Sequence, residues 1–191
     1  MNQIIKNTII LFVITLVAGI CLGTVHDITL DPIAQAQEAA ATKTYQEVYP
    51  DAASFDEPQE LADAVTAAAD SISEWGFGKV TINDAKEALD ASGNQIGYLI
   101  TSTSAESYGG NVQIAVGISN EGELTGIGFL SISDTPGLGM RAKEPDFKDQ
   151  FIGKKAENLE VTKTGASADN QIEAISGATI TSKAVTNATD A

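Results

Sequence analysis

The sequence predicts an α+β fold tethered by one N-terminal transmembrane helix, and three observations support this. An apolar run without formal charge opens the chain, from Asn7 to Val25. Four segments of strand-like composition lie between Lys79 and Ser133, separated by glycine-bearing turns. Helix-compatible segments flank them on both sides.

The opening run contains 19 residues between Lys6 and His26. At 1.5 Å per residue it extends about 28 Å as a helix, close to the ~30 Å of a bilayer's hydrocarbon core. A cleaved signal peptide is the rival reading, with Ala34-Gln35-Ala36 as its cleavage site. The run exceeds the usual length of a signal's apolar region, and the triplet lies well beyond its end, so a retained anchor is expected. Lipidation at Cys21 is disfavoured by the preceding Ala18-Gly19-Ile20. Lys6 precedes the span while Asp27 and Asp31 follow it. The positive-inside tendency therefore puts the N-terminus in the cytoplasm and residues 27–191 outside it.

Asp31-Pro32 has the form of a helix start, opening IAQAQEAAATKTYQEVYP, which should stop near Pro50. A second helix is expected from Pro58 to Trp75. Strands follow in KVTINDAKEALD, QIGYLITSTS, NVQIAVGIS and LTGIGFLSIS, with Gly93 and Gly122 in the turns. That order suits an antiparallel meander. Pro145 to Phe151 predicts a short helix, and another should run from Ile180 onward. The expected organisation is an anchor at 1–26, a helical connector at 27–50 and a folded domain at 51–191.

Charge and residue counts exclude several chemistries. Beyond residue 26 stand ten basic and 26 acidic residues, a net charge of −16 that repels nucleic acid and anionic headgroups. The one histidine is His26 and the one cysteine is Cys21, both at or within the span. The domain therefore lacks the parts of a Ser-His-Asp or Cys-His nucleophile and of a Cys/His metal, haem or iron–sulfur site. Redox chemistry here would require an organic cofactor.

SGATITS, Ser176 to Ser182, gathers four hydroxyls on small residues just where a helix should begin. Free amides and the positive dipole end make such a terminus attractive to phosphate. The Gly-Lys-Ser/Thr ending of a nucleotide-triphosphate loop is missing. Two readings fit the residues equally: the hydroxyls cap the helix, or they cradle an anion.

These residues carry a resemblance. SGATITS resembles the attachment motif of the FMN-binding domain family, in which a threonine hydroxyl is joined to the phosphate of FMN. DTPGLG, Asp134 to Gly139, resembles the loop beside the bound flavin in the same family. The order and spacing of the two motifs, with the anchor and chain length, resemble the RnfG branch, flavoprotein subunits of ion-translocating ferredoxin:NAD+ oxidoreductase (Rnf) complexes. The NqrC subunits of Na+-translocating NADH:quinone reductases are the near alternative, and a non-redox binding domain is the distant one.

The resemblance implies covalent FMN on Thr179, through a phosphoester. Ser176, Gly177, Ala178, Thr181, Ser182, Thr135, Leu138 and Gly139 would complete the cofactor site, with no metal and no catalytic side chain. It also implies an electron relay whose partners are the other membrane and peripheral subunits of the complex and, during maturation, a flavin transferase. Two positions depart from the family pattern while keeping its charge. Glu173 stands where an Asp is usual, and Asp134 where a Glu is usual.

Overall fold

The apolar run is the first part of a longer helix. In the computed structural model, which describes residues 2–72 and 75–191, helix α1 runs unbroken from Asn2 to Val48. Its apolar side chains from Ile9 to Leu22 face outward, as a bilayer requires. Thr8, Thr15 and Thr24 each donate their hydroxyl proton one turn back, to the carbonyls of Ile4 (2.9 Å), Leu11 (3.1 Å) and Ile20 (2.8 Å). Their polar atoms thus need no external partner in lipid.

No separate helix starts at Asp31-Pro32; Pro32 lies inside α1. An interior proline removes one donor and costs about 3 kcal/mol. The alanine-rich tract that follows and the long apolar run before it both favour helix, and the element continues through the proline. By packing, the chain divides into residues 1–41 and 42–191. The folded unit thus begins within α1, ahead of residue 51.

In that unit a five-stranded antiparallel sheet follows chain order: β1 (Ser54–Asp56), β2 (Val80–Leu89), β3 (Gln95–Ser107), β4 (Gly110–Ser119) and β5 (Leu124–Ile132). The four long strands fall where the sequence places them. β1 has three residues and no legible alternation. Helix α2 spans Gln59–Ile72, and residues 73 and 74 of the helix expected to reach Trp75 lie outside the described residues.

Alternation gives the sheet two buried faces. On one, Val112, Ile114 and Val116 pack with Ala184, Val185 and Ala188 of helix α4 (Thr179–Asp190). Ser102 donates to the Ala188 carbonyl at 2.5 Å, fastening the helix to β3. The same cluster holds Phe147 of the one-turn helix α3 (Pro145–Lys148) and Phe151 of the 3-10 turn after it, their rings edge to face at 5.6 Å.

On the opposite face Leu99 and Ala115 receive Val48, with Tyr45 beside it. Gly128 makes this approach possible, because a Cβ there would lie 2.4 Å from Thr44 Cγ2 and 2.6 Å from Val48 Cγ2. Thr125 donates to the Val48 carbonyl (2.8 Å) and Tyr49 to the Ile96 carbonyl (2.7 Å), which ties the end of α1 to the sheet. A short parallel pair, β6 (Glu160–Thr162) and β7 (Gln171–Glu173), completes the fold.

Candidate functional site

The site forms where β5 ends and α4 begins. After Ile132 the chain turns through Thr135-Pro136-Gly137-Leu138, closed by the Leu138 N–H on the Thr135 carbonyl at 3.1 Å. Gly137 has φ of 76°, and proline followed by a positive-φ glycine is the signature of a type II turn. Thr135 and Leu138 stay exposed on this turn, whereas Gly139 is buried. A Cβ on Gly139 would overlap the Asp134 carboxylate, 2.3 Å from its Cγ. Gly139 therefore serves from the inside, by leaving room for an acid.

Ser176 and Gly177 are exposed at the second turn, and Thr179, the first residue of α4, is half-buried. Ala178 occupies the N-cap position with no side-chain cap. The amides of Thr179, Ile180 and Thr181 thus open the helix without intrahelical acceptors. Gly177 adopts φ of 80°, and a Cβ there would meet Leu138 Cδ2 at 3.1 Å, so the two turns touch.

Two of the four hydroxyls face inward. Ser182 accepts from the Ile175 N–H and donates to the Ala178 carbonyl, both at 3.0 Å. Thr181 donates to Asp134 Oδ2 at 2.6 Å. Both side chains are fully buried. Both, expected among the cofactor contacts, shape the turn from within, while Ser176 is exposed and Thr179 half-buried. No side chain of the motif caps α4, and of its four hydroxyl residues one is exposed, one half-buried and two buried.

Asp134 also accepts from the Ser107 hydroxyl at 2.7 Å on Oδ2 and from the Thr135 N–H at 2.8 Å on Oδ1. Burial pushes its carboxyl up, and hydrogen bonds from Thr181, Ser107 and the backbone at Thr135 and Gly109 more than offset that, holding it below the ordinary carboxylate range. Ser107 escaped the sequence reading. So did its neighbour Tyr108, 72% exposed at the tip of the β3–β4 hairpin. The available signal was an aromatic residue followed by two glycines between strands. Glu173 lies in β7, exposed, with its N–H bonded to Gln150 at 2.7 Å.

Residues 107–191, from Ser107 to the end of α4, match the FMN-binding domain family. Residues 1–48, which include all of α1, match the RnfG N-terminal region. The RnfG protein of the Na+-translocating ferredoxin:NAD+ oxidoreductase complex of Acetobacterium woodii is 36% identical over 96% of this chain and 87% of its own. The chain belongs to the RnfG family. Its counterpart in the proton-translocating ferredoxin:NAD+ oxidoreductase complex of Clostridium ljungdahlii is 30% identical over 97% of this chain and 87% of its own. A crystal structure of the NqrC protein of the Na+-translocating NADH-quinone reductase of Parabacteroides distasonis aligns over 56% of both chains, with 25% identity and a TM-score of 0.47. RnfG membership, which extends from α1 through α4, decides between the two families that the motifs left open.

The residues present fit FMN. A half-buried threonine at the head of α4, first-turn amides without intrahelical acceptors and an exposed Ser176 suit a phosphate, and Leu138, 42% exposed on the adjoining turn, offers an apolar contact for a ring. Among the described residues no cluster of acidic, histidine or cysteine side chains could hold a metal ion.

Proposed function

We propose that this chain is the membrane-anchored flavoprotein of an ion-translocating ferredoxin:NAD+ oxidoreductase, an electron relay that works only within the larger complex. FMN supplies the chemistry, since it exchanges electrons with both one- and two-electron carriers. The observation that carries the reading is the meeting of the two motif turns at Leu138 and Gly177, the latter two residues before Thr179.

Thr179 Oγ1 holds the cofactor covalently. An alcohol does not displace water from a phosphate monoester to useful extent, so the donor is an activated flavin phosphoanhydride such as flavin adenine dinucleotide, delivered by a flavin transferase. Thr179 Oγ1 bonds to the flavin-side phosphorus, the P–O–P bridge breaks, and adenosine monophosphate leaves. The hydroxyl proton passes to a base of the transferase. With FMN bound, the first-turn amides of α4 and the Ser176 hydroxyl would hold the phosphate, Gly177 and Ala178 would let it approach, and Thr135 and Leu138 would line the ring side.

Residues 1–26 anchor the protein, 27–50 form a helical connector whose last turns pack on the domain, and the rest is the flavin domain. It faces away from the cytoplasm, where no cytoplasmic flavin pool can replace a lost cofactor. A phosphoester removes the dissociation step. The remaining membrane and peripheral subunits of the complex are its electron partners.

Co-expression with a flavin transferase tests the attachment. The intact mass should rise by one FMN less one water, and the denatured band should fluoresce. Thr179→Val keeps the shape and removes the hydroxyl, and should abolish both signals in a folded protein. Fluorescence that survives denaturation of Thr179→Val would move the attachment elsewhere.

A further inference from the structure

The Asp134 carboxylate is buried, 8% exposed, and takes part in no ion pair among the described residues. It draws together three parts of the chain: Ser107 at the end of β3, Thr135 at the head of the TPGLG turn and Thr181 in the first turn of α4. Every partner is a donor, two hydroxyls and the backbone N–H groups of Thr135 and Gly109. A carboxylate accepts from all of them. An amide would set its own NH2 against at least one.

Helix geometry turns this cluster into a statement about Thr179. Successive helical residues advance about 100°, so positions two apart point to nearly opposite sides. Holding Thr181 inward therefore turns Thr179 outward. SGATITS offers two threonines in the first turn of α4, one hidden on Asp134 and one presented.

We propose that Asp134 is the positioning residue of the flavin site, drawing Thr181 inward so that Thr179 faces the incoming flavin phosphate and the TPGLG turn is held beside it. The proposal rests on attachment at Thr179. Asp134 acts through Thr181 and through the turn it heads.

The test uses the full chain in detergent with a flavin transferase and flavin adenine dinucleotide, and reads the attachment rate by intact mass and the mobility of the attached flavin by time-resolved fluorescence anisotropy. Thr181→Val and Asp134→Asn should each slow attachment at least about tenfold, as expected for losing a charge-assisted hydrogen bond. The flavin that does attach should gain a fast depolarisation component. Thr181→Ser retains the donor and should restore both readouts. If the residues act through one bond, the double variant Asp134→Asn/Thr181→Val should be no slower than the worse single variant. Circular dichroism and thermal melting establish that each variant is folded, and the Thr181→Val and Thr181→Ser pair decides the matter if Asp134→Asn is not. Folded variants that acquire flavin at the wild-type rate and hold it with wild-type anisotropy would overturn the proposal. A wild-type protein that takes no flavin on Thr179 would instead overturn the attachment itself.

Discussion

Thr179 and Ser182 stand three residues apart on one helix in different surroundings, the first half-buried and the second fully buried. Ser182 bridges the Ile175 N–H and the Ala178 carbonyl from a buried position, so Ser182→Ala strands a buried donor. The expected cost is about 1–3 kcal/mol in chemical denaturation, with attachment at Thr179 preserved. Leu138 is a different case, exposed and available to a ring. Leu138→Asp would set a carboxylate beside a group that accepts electrons, an opposition of about 1–3 kcal/mol. Redox titration should then find the potential lowered by tens of millivolts, and an unchanged potential in a fully flavinylated sample would remove this turn from the site. Asp134 adds a pH dependence. Its native carboxyl lies below the ordinary value, so its stabilisation is complete above the ordinary pKa of about 4 and is lost as pH falls through the lower native value. Asp134→Asn should therefore melt below wild type at pH 7, with the gap closing in acid; a constant gap would contradict the shift. Thr179 was singled out from its motif alone, and the structure places it as the first residue of α4. The Asp134 cluster was not legible, because Ser107 and Thr181 lie 27 and 47 residues away and no local pattern connects them.

The long strands were legible because apolar alternation and turn glycines agree. Gly93 and Gly122, at φ of 80° and 78°, turn the chain where the sequence placed hairpins. Elements of three residues, β1, β6 and β7, carry too little periodicity to be seen. The course of α1 through Pro32 was misread because a local start signal, Asp31-Pro32, was weighed without the helix-forming tracts on both sides. Gly128 records a contact invisible in sequence, since it clears space for Thr44 and Val48. Gly128→Ala should lower the urea midpoint by an amount equivalent to about 1–3 kcal/mol, the usual range for overpacking a close contact. A midpoint equal to wild type would mean that α1 does not seat there.

For the whole molecule, chemistry and placement depend on separate parts of the chain. The first unit, residues 1–41, carries the apolar span, and the second carries the sheet and both motif turns. Which side of the membrane receives the second unit depends on few charges, Lys6 before the span against Asp27 and Asp31 after it. A reporter fused after Ala191 that is active only outside the cytoplasm should be active. An inactive reporter, with a cytoplasmic one active in its place, would reverse the orientation and remove the advantage of a covalent cofactor. Elimination went only as far as requiring an organic cofactor for any redox chemistry, since the domain has no cysteine or histidine; membership of a redox complex was legible from the resemblance carried by SGATITS and DTPGLG. The most direct measurement is tandem mass spectrometry of the tryptic peptide from Thr164 to Lys183, taken from the full-length protein matured with a flavin transferase. The expected spectrum carries one FMN, less one water, with fragment ions assigning it to Thr179. A peptide without that mass, or with it on Ser176, Thr181 or Ser182, would contradict attachment at Thr179.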